Sequence, residues 1–460
     1  MLKSIFTNSS GILFSRILGF FRDMLTASIL GVNIYSDIFF VAFQLPNLFR
    51  RIFGEGAFSQ AFLPSFTRTK HKILFSASVF YKLIFAILLL TLLVNIFSFE
   101  ITKIISAGFS DEVIQKAEIF VKINFFYLTL IFIVTFLSAL LHFKEHFVTT
   151  AFSTALLNIS MISALLLSQN LPPKDIVFYL SYGVVIGGLL QVLAHLIALK
   201  FTGMQKVFYG GLGKFRHFHT VKKDSKHFFN KFFLAIWGGG TAQISSFLDT
   251  LFASFLMTGS ISYLYFANRV FQFPLALFAI ATTIAIFPRV SKFIKQKKYL
   301  EAEKIFKFSF WLLFSLLSSA TIIGIVFADE IVSLLFERGN FGESDRIATA
   351  QVLIFYLLGL SVFGISKLFS LWLYAHEQIG TSAKISTYSL VVKIVFSAIL
   401  ISPFGVSGLA LSTAISSLIL FILTVKEFGF QRFKKIIFDK LAIFFLIWIT
   451  VLNGVIYFKI

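Results

Sequence analysis

Long apolar segments, each bounded by short polar or basic stretches, recur along the whole chain. A run of about 20 apolar residues is long enough to cross roughly 30 Å of hydrocarbon as a helix. On that length scale the pattern predicts thirteen spans, near 5–30, 36–66, 74–99, 118–141, 148–168, 177–199, 232–257, 261–288, 305–327, 347–374, 382–401, 405–425 and 438–458. No stretch between them is long enough for a separate soluble domain. The expected fold is an all-α polytopic membrane protein. The first segment does not read as a cleavable signal peptide, because it carries Arg16, Arg22 and Asp23 and runs straight into the next span.

The basic residues sort by side. With the N-terminus inside, 26 Lys and Arg fall on inside segments and 6 on outside ones. The positive-inside bias therefore predicts a cytoplasmic N-terminus. Acidic residues gather on the other side, at Asp111, Glu112, Asp329, Glu330, Glu343 and Asp345. The longest inside connection, 201–231, is strongly basic and is expected to lie on the anionic inner leaflet as a linker between two lobes.

A short repeat supports that division. Phe43-Gln44-Leu45-Pro46 is followed by Ala61-Phe62-Leu63-Pro64, and Phe271-Gln272-Phe273-Pro274 by Ala285-Ile286-Phe287-Pro288. The copies lie six spans apart, which implies parallel repeats about an axis along the membrane normal. The expected organisation is an N-lobe over 1–200, the linker over 201–231, a C-lobe over 232–426 and one extra C-terminal span in 427–460. Each lobe then holds six helices. Pro46, Pro274 and the run Gly238-Gly239-Gly240 are candidate bending points, or sites of static close packing.

Composition removes several functions. The 460 residues are 57% hydrophobic and 13% charged, with net charge +20 and no cysteine. Disulfides, thiolate nucleophiles and iron–sulfur ligation are thereby excluded. The basic excess follows the inside loops, so no nucleic-acid partner is expected. The histidines lack metal-ligand spacing, and no catalytic triad or phosphate-binding glycine loop appears. Neither metal nor cofactor is expected, and the chain reads as a transporter and not an enzyme.

The candidate chemistry lies in charge placed inside spans. Arg16, Arg22, Arg50 and Arg269 all interrupt apolar segments, with Asp23 and Asp37 near them in sequence. Intramembrane charge is costly and ordinarily faces a cavity or a polar partner. A guanidinium also matches phosphate with two parallel hydrogen bonds. Arg16 and Arg22 point about 120° apart on a helix. Glu55 follows Arg51 by one turn, a spacing that permits an ion pair. One reading pairs all these charges to hold helices together. The sharper one leaves some arginines for an anionic, phosphate-bearing cargo. Asp249, Lys367 and Lys393 are further intramembrane charges, suited to an ion pair or to ion coupling.

SRILGFFRD (15–23), SDIFFVAFQLPNLFRRIFGEGAFSQAFLP (36–64), FSTALLNISMI (152–162), LFASFL (251–256), RVFQFPLALFAIATTIAIFP (269–288) and LFERGNF (335–341) closely resemble the MurJ (MviN) lipid II flippase family. The resemblance implies the multidrug/oligosaccharidyl-lipid/polysaccharide exporter fold, two six-helix lobes around a cationic cavity. It implies export of an undecaprenyl-diphosphate-linked peptidoglycan precursor from the inner to the outer leaflet of the bacterial inner membrane; the expected mechanism is alternating access, with an inside-negative potential favouring outward movement of an anion. Its important residues correspond here to Arg16, Arg22, Asp37, Arg50 and Arg269, with Asp23 and Lys367 as weaker matches. It further implies lipid II and membrane lipids as partners, cell-wall synthesis proteins as candidates, and a monomer.

The chain departs from that pattern in three places. Thirteen spans are expected where the family usually has fourteen. Asn268 stands where many members carry Asp. Lys393 occupies a position often filled by Asn, and an ammonium beside Asp249 would replace a sodium charge. A related exporter of another polyprenyl-diphosphate glycan is the nearest alternative. A polytopic glycosyltransferase is a more distant one, since the outer loops near 100–117 and 328–346 are short.

Overall fold

The structure, a computed structural model, describes residues 2–52, 58–239 and 241–457. Among these residues there are helices and turns and no strands. The chain divides into two compact units, 1–259 with Gly339–Phe341, and Ser260–Arg338 with Gly342–Ile460.

The first unit contains α1 (Leu2–Leu30), α2 (Ile34–Ile52), α3 (Phe58–Arg68), α4 (Lys72–Ile96), α5 (Ser98–Ile105) and α6 (Asp111–Phe143). It continues with α7 (Val148–Ser168), α8 (Pro173–Phe201), α9 (Gln205–Tyr209), α10 (Lys222–Gly239) and α11 (Thr241–Ala253). α7 packs against α8 and α1, and α6 against α8 and α2. Small residues set the α7–α8 spacing. A Cβ at Gly187 would sit 2.9 Å from the Leu157 Cα, and one at Gly183 2.9 Å from the Ala164 Cβ. In lipid, such close backbone approach supplies dispersion where the hydrophobic effect is absent.

Aromatic packing ties α10 to α3. Phe228 lies 5.6 Å from Phe58 and 5.5 Å from Phe232, centroid to centroid. Phe58, Phe62, Phe228 and Phe232 are all buried. Part of the segment 201–231 is helical. Its short 3₁₀ turn Phe215–Val221 brings Phe215 to 4.4 Å from Tyr81 of α4. The segment therefore packs on α4 through aromatic side chains, a feature its charge alone did not suggest.

Polar groups inside this unit are bonded across helices. Asn124 Nδ2 donates to Ser181 Oγ at 2.8 Å, Tyr127 Oη to Gln191 Oε1 at 3.2 Å, and Ser138 Oγ meets His195 Nε2 at 2.8 Å. Unsatisfied polar atoms in hydrocarbon cost several kcal/mol, so these bonds fix the α6–α8 register.

The second unit contains α12 (Ser260–Pro274), a π-helical turn over Leu275–Ile280, α13 (Ala281–Lys295), α14 (Tyr299–Val326) and α15 (Ala328–Phe336). α16 (Glu343–Leu358), α17 (Leu360–Ala375), α18 (Ile379–Phe428), α19 (Phe430–Ile437) and α20 (Leu441–Tyr457) complete it. Its core gathers Phe306, Phe310, Phe369 and Trp372. α18 is two spans in one helical run, broken at Gly405 (φ 52°, ψ −130°), two residues after Pro403. That backbone region is open only to glycine.

Among the described residues, each of the thirteen expected spans is largely helical. Seven described helical segments are long and apolar enough to cross a membrane. The α16–α17 pair, bent by 41°, makes an eighth. α1, α2 and α11 fall outside that set, and they carry the charges expected inside spans: Arg16, Arg22, Asp37, Arg50 and Asp249. The π-helical turn follows Pro274, where the missing N–H interrupts the α ladder.

Candidate functional site

α1 carries Ser15, Gly19 and Arg22 at intervals of four and three, one face of a helix. That face meets α7. Ser15 Oγ donates to the Ala151 carbonyl at 3.1 Å. Arg22 Nη1 donates to Asn158 Oδ1 at 3.1 Å, and Asn158 Nδ2 returns to the Ser15 carbonyl at 2.9 Å. Arg22 also binds Asp23, through Nη2 at 2.6 Å and Nε at 3.1 Å. Arg22 is 6% exposed and Asp23 2%, so this is a desolvated ion pair braced by an amide.

Arg16 stands on the same helix and is exposed. Arg50 lies half-buried on α2, where its Nε donates to Asn47 Oδ1 at 3.1 Å. Among the described residues neither Arg16 nor Arg50 has a carboxylate at ion-pair distance. The expected Arg51–Glu55 pair lies outside the described residues, as does Gly240 of the glycine run.

Asp37 sits in the first turn of α2, 1% exposed, and accepts from the Gly259 N–H at 2.7 Å. Its carboxylate holds the backbone immediately ahead of α12. Asp249 is half-buried on α11. Next to it in sequence, Thr250 Oγ1 accepts from Gln44 Nε2 at 2.7 Å, fastening α2 to α11.

In the second unit, Arg269 Nη2 donates to Tyr265 Oη at 2.7 Å, and the guanidinium stands over the Tyr265 ring at 4.7 Å. The spacing is one helical turn, so tyrosine presents this arginine by a cation–π contact. Asn268 accepts from Gln272 Nε2. Lys367 Nζ stands 4.6 Å over the Phe363 ring. Lys393 is buried on α18. No group of three or more His, Cys, Asp or Glu among the described residues is arranged to hold a metal ion.

Sequence reasoning missed Asn158 and Tyr265. Each is an ordinary residue in an apolar run, and only the partner helix or ring shows its use. A stripe of Ser15, Gly19 and Arg22 was the available signal for the α1–α7 contact.

Among the described residues, seven or eight helices long and apolar enough to cross a bilayer define a polytopic membrane protein. An inward-facing multidrug transporter of the MATE family shares its fold, with TM-score 0.70 over 92% of this chain and 94% of that one at 12% identity. The family described as "Lipid II flippase MurJ" matches residues 26–460, and the chain belongs to that family. A protein named "Probable lipid II flippase MurJ" from Helicobacter pylori is 47% identical over 421 residues, 89% of this chain and 91% of its own. One of the same name from Buchnera aphidicola is 33% identical over 98% of this chain and 87% of its own. A solved structure named "Lipid II flippase MurJ, inward closed conformation" has TM-score 0.81 at 25% identity, covering 98% and 99% of the two chains. These relatives are named for transport, and none of the names describes an enzyme.

Proposed function

We propose that this protein moves lipid II, the polyprenyl-diphosphate-linked peptidoglycan precursor, from the inner to the outer leaflet of the bacterial cytoplasmic membrane by alternating access. The family match over nearly the whole chain carries this reading. The 26-to-6 division of basic residues supports a cytoplasmic N-terminus. By the sequence repeat, the lobes are 1–200 and 232–426, joined by the linker 201–231, with 427–460 added, a division distinct from that of the two compact units, and the unit of transport is a monomer.

Arg16 and Arg50 are the first ligands for the diphosphate, because neither is paired to a carboxylate among the described residues. Arg22, held by Asp23, contributes further N–H donors in the first unit, and Arg269, presented by Tyr265, is by itself the candidate anion ligand of the second. Asp37 fixes backbone, and Asp249, Lys367 and Lys393 are the candidates for charge coupling. Binding the diphosphate neutralises arginine charge and permits rearrangement. An inside-negative potential favours outward movement of an anion by about 2.3 kcal/mol per charge per 100 mV. The prenyl tail stays in lipid throughout.

The test is reconstitution of the full chain in liposomes with fluorescent lipid II, scored by access of a membrane-impermeant quencher. Arg50→Ala should abolish movement while folded protein remains in the bilayer. Normal movement by that variant sinks the assignment. Efficient competition by a different polyprenyl-diphosphate glycan would favour the broader exporter reading.

A further inference from the structure

We propose that Asn158 is a positioning residue for Arg22, setting the guanidinium's direction from α7 so that it meets lipid II preformed. This rests on the assignment of Arg22 as a contact for the diphosphate.

The side chain of Asn158 is used at both ends. Its Oδ1 accepts from Arg22 Nη1 at 3.1 Å, and its Nδ2 donates to the Ser15 carbonyl at 2.9 Å. The amide thus spans two turns of α1, from the residue just before Arg16 to Arg22. Gly19 lies between, and a Cβ there would come to 3.3 Å from Asn158 Nδ2, tighter than ordinary contact. The absence of a side chain at Gly19 lets the amide lie across the helix.

The rest of the clamp is complementary. Asp23 Oδ1 takes the Nε and Nη2 donors of Arg22, and the Met161 sulfur lies 3.6 Å from Nη1. Asp23 and Asn158 therefore occupy three of the five guanidinium N–H groups. Asp23 restrains the arginine from its own helix, and Asn158 does so from the neighbouring one. Asn158 is 3% exposed, so its bonds are not exchanged with water. An amide orients a guanidinium without adding a second negative charge that a diphosphate would have to displace. An arginine held this way loses little rotamer freedom on binding, which lowers the entropic cost of association.

The consequence is a shift in half-saturation with little change in maximal rate. Wild type, Asn158→Ala, Arg22→Ala and the double variant would be reconstituted at full length, and lipid II flipping followed across lipid II concentration. Asn158→Ala should raise the half-saturating concentration about tenfold, the scale of one lost hydrogen bond to a charged group. Its maximal rate should stay within about twofold of wild type. In the Arg22→Ala background, Asn158→Ala should add nothing, because it acts only through that arginine.

If Asn158→Ala does not fold, Asn158→Leu fills similar space without either hydrogen bond and takes its place. Unchanged half-saturation, or the same factor lost in both backgrounds, overturns the positioning role while leaving Arg22 in place. An unaffected Arg22→Ala overturns both the arginine's role and that of Asn158. Absence of lipid II movement by wild type overturns the flippase reading itself.

Discussion

The Asn340 backbone N–H donates to the Ser28 carbonyl at 2.8 Å, and its Nδ2 to the Ile29 carbonyl at 2.6 Å. Two of the carbonyls left open at the end of α1 are thereby capped by a segment 311 residues away in sequence. Gly31 closes the same helix end with φ +70°, and Gly339 enters the segment with φ +61°.

That docking leaves no room for side chains. A Cβ on Gly339 would stand 2.3 Å from the Ser28 carbonyl oxygen. Gly339→Ala should destabilise the protein by at least about 1–2 kcal/mol, the cost of a left-handed residue with a Cβ. Thermal unfolding in detergent checks this, and an unchanged midpoint would refute the docked geometry.

Asp37 is a second backbone anchor. Asp37→Ala removes a charge-assisted bond to the Gly259 N–H, worth about 1.5–3 kcal/mol. Asp37→Asn keeps an acceptor and should lose less. The order Ala below Asn below wild type in unfolding midpoint is expected; equal loss would mean that charge alone matters.

Phe228 is fully buried among Phe58, Phe62, Phe75 and Phe232. Phe228→Ala should cost about 3–5 kcal/mol by leaving a cavity. The same change at exposed Phe233 should cost little. Parallel melting curves of the two variants make the comparison internal.

The turn between α19 and α20 carries a pH-sensitive contact. Asp439 accepts from the Leu441 N–H at 3.1 Å and pairs with Lys307 at 3.1 Å. The backbone bond first, and the Lys307 bond second, hold its carboxyl below the ordinary value of 3.8. Its stabilisation is therefore fully present above that value and is lost as pH falls through the lower folded one. The protection factor of the Leu441 N–H, its exchange rate corrected for the intrinsic pH dependence of amide exchange, should fall on acidification in wild type and stay constant over that window in Asp439→Asn. Identical profiles would exclude the carboxylate as the cause.

The helices were legible because a bilayer imposes one length and one solution to backbone hydrogen bonding. Apolar runs, basic loops and proline marked segments that are largely helical among the described residues, without reference to packing. The intramembrane arginines were equally visible, since charge in an apolar run stands out in one dimension. Less visible was what each arginine touches. Arg22 and Arg16 are six residues apart on one helix, yet one is buried in a clamp and the other is exposed.

By itself, the sequence determined a polytopic helical protein, its basic sidedness, its family and its inventory of intramembrane charge. These are properties of local composition and spacing, which the membrane reads segment by segment. Only the tertiary structure decided that Asn158 braces Arg22, that Tyr265 presents Arg269, that Asp37 holds the Gly259 backbone and that Asn340 caps α1. Most of these are hydrogen bonds between residues far apart in the chain, and their direction depends on helix rotation and approach. A one-residue change in register would move each partner about 100° around its helix, and no local pattern encodes that angle.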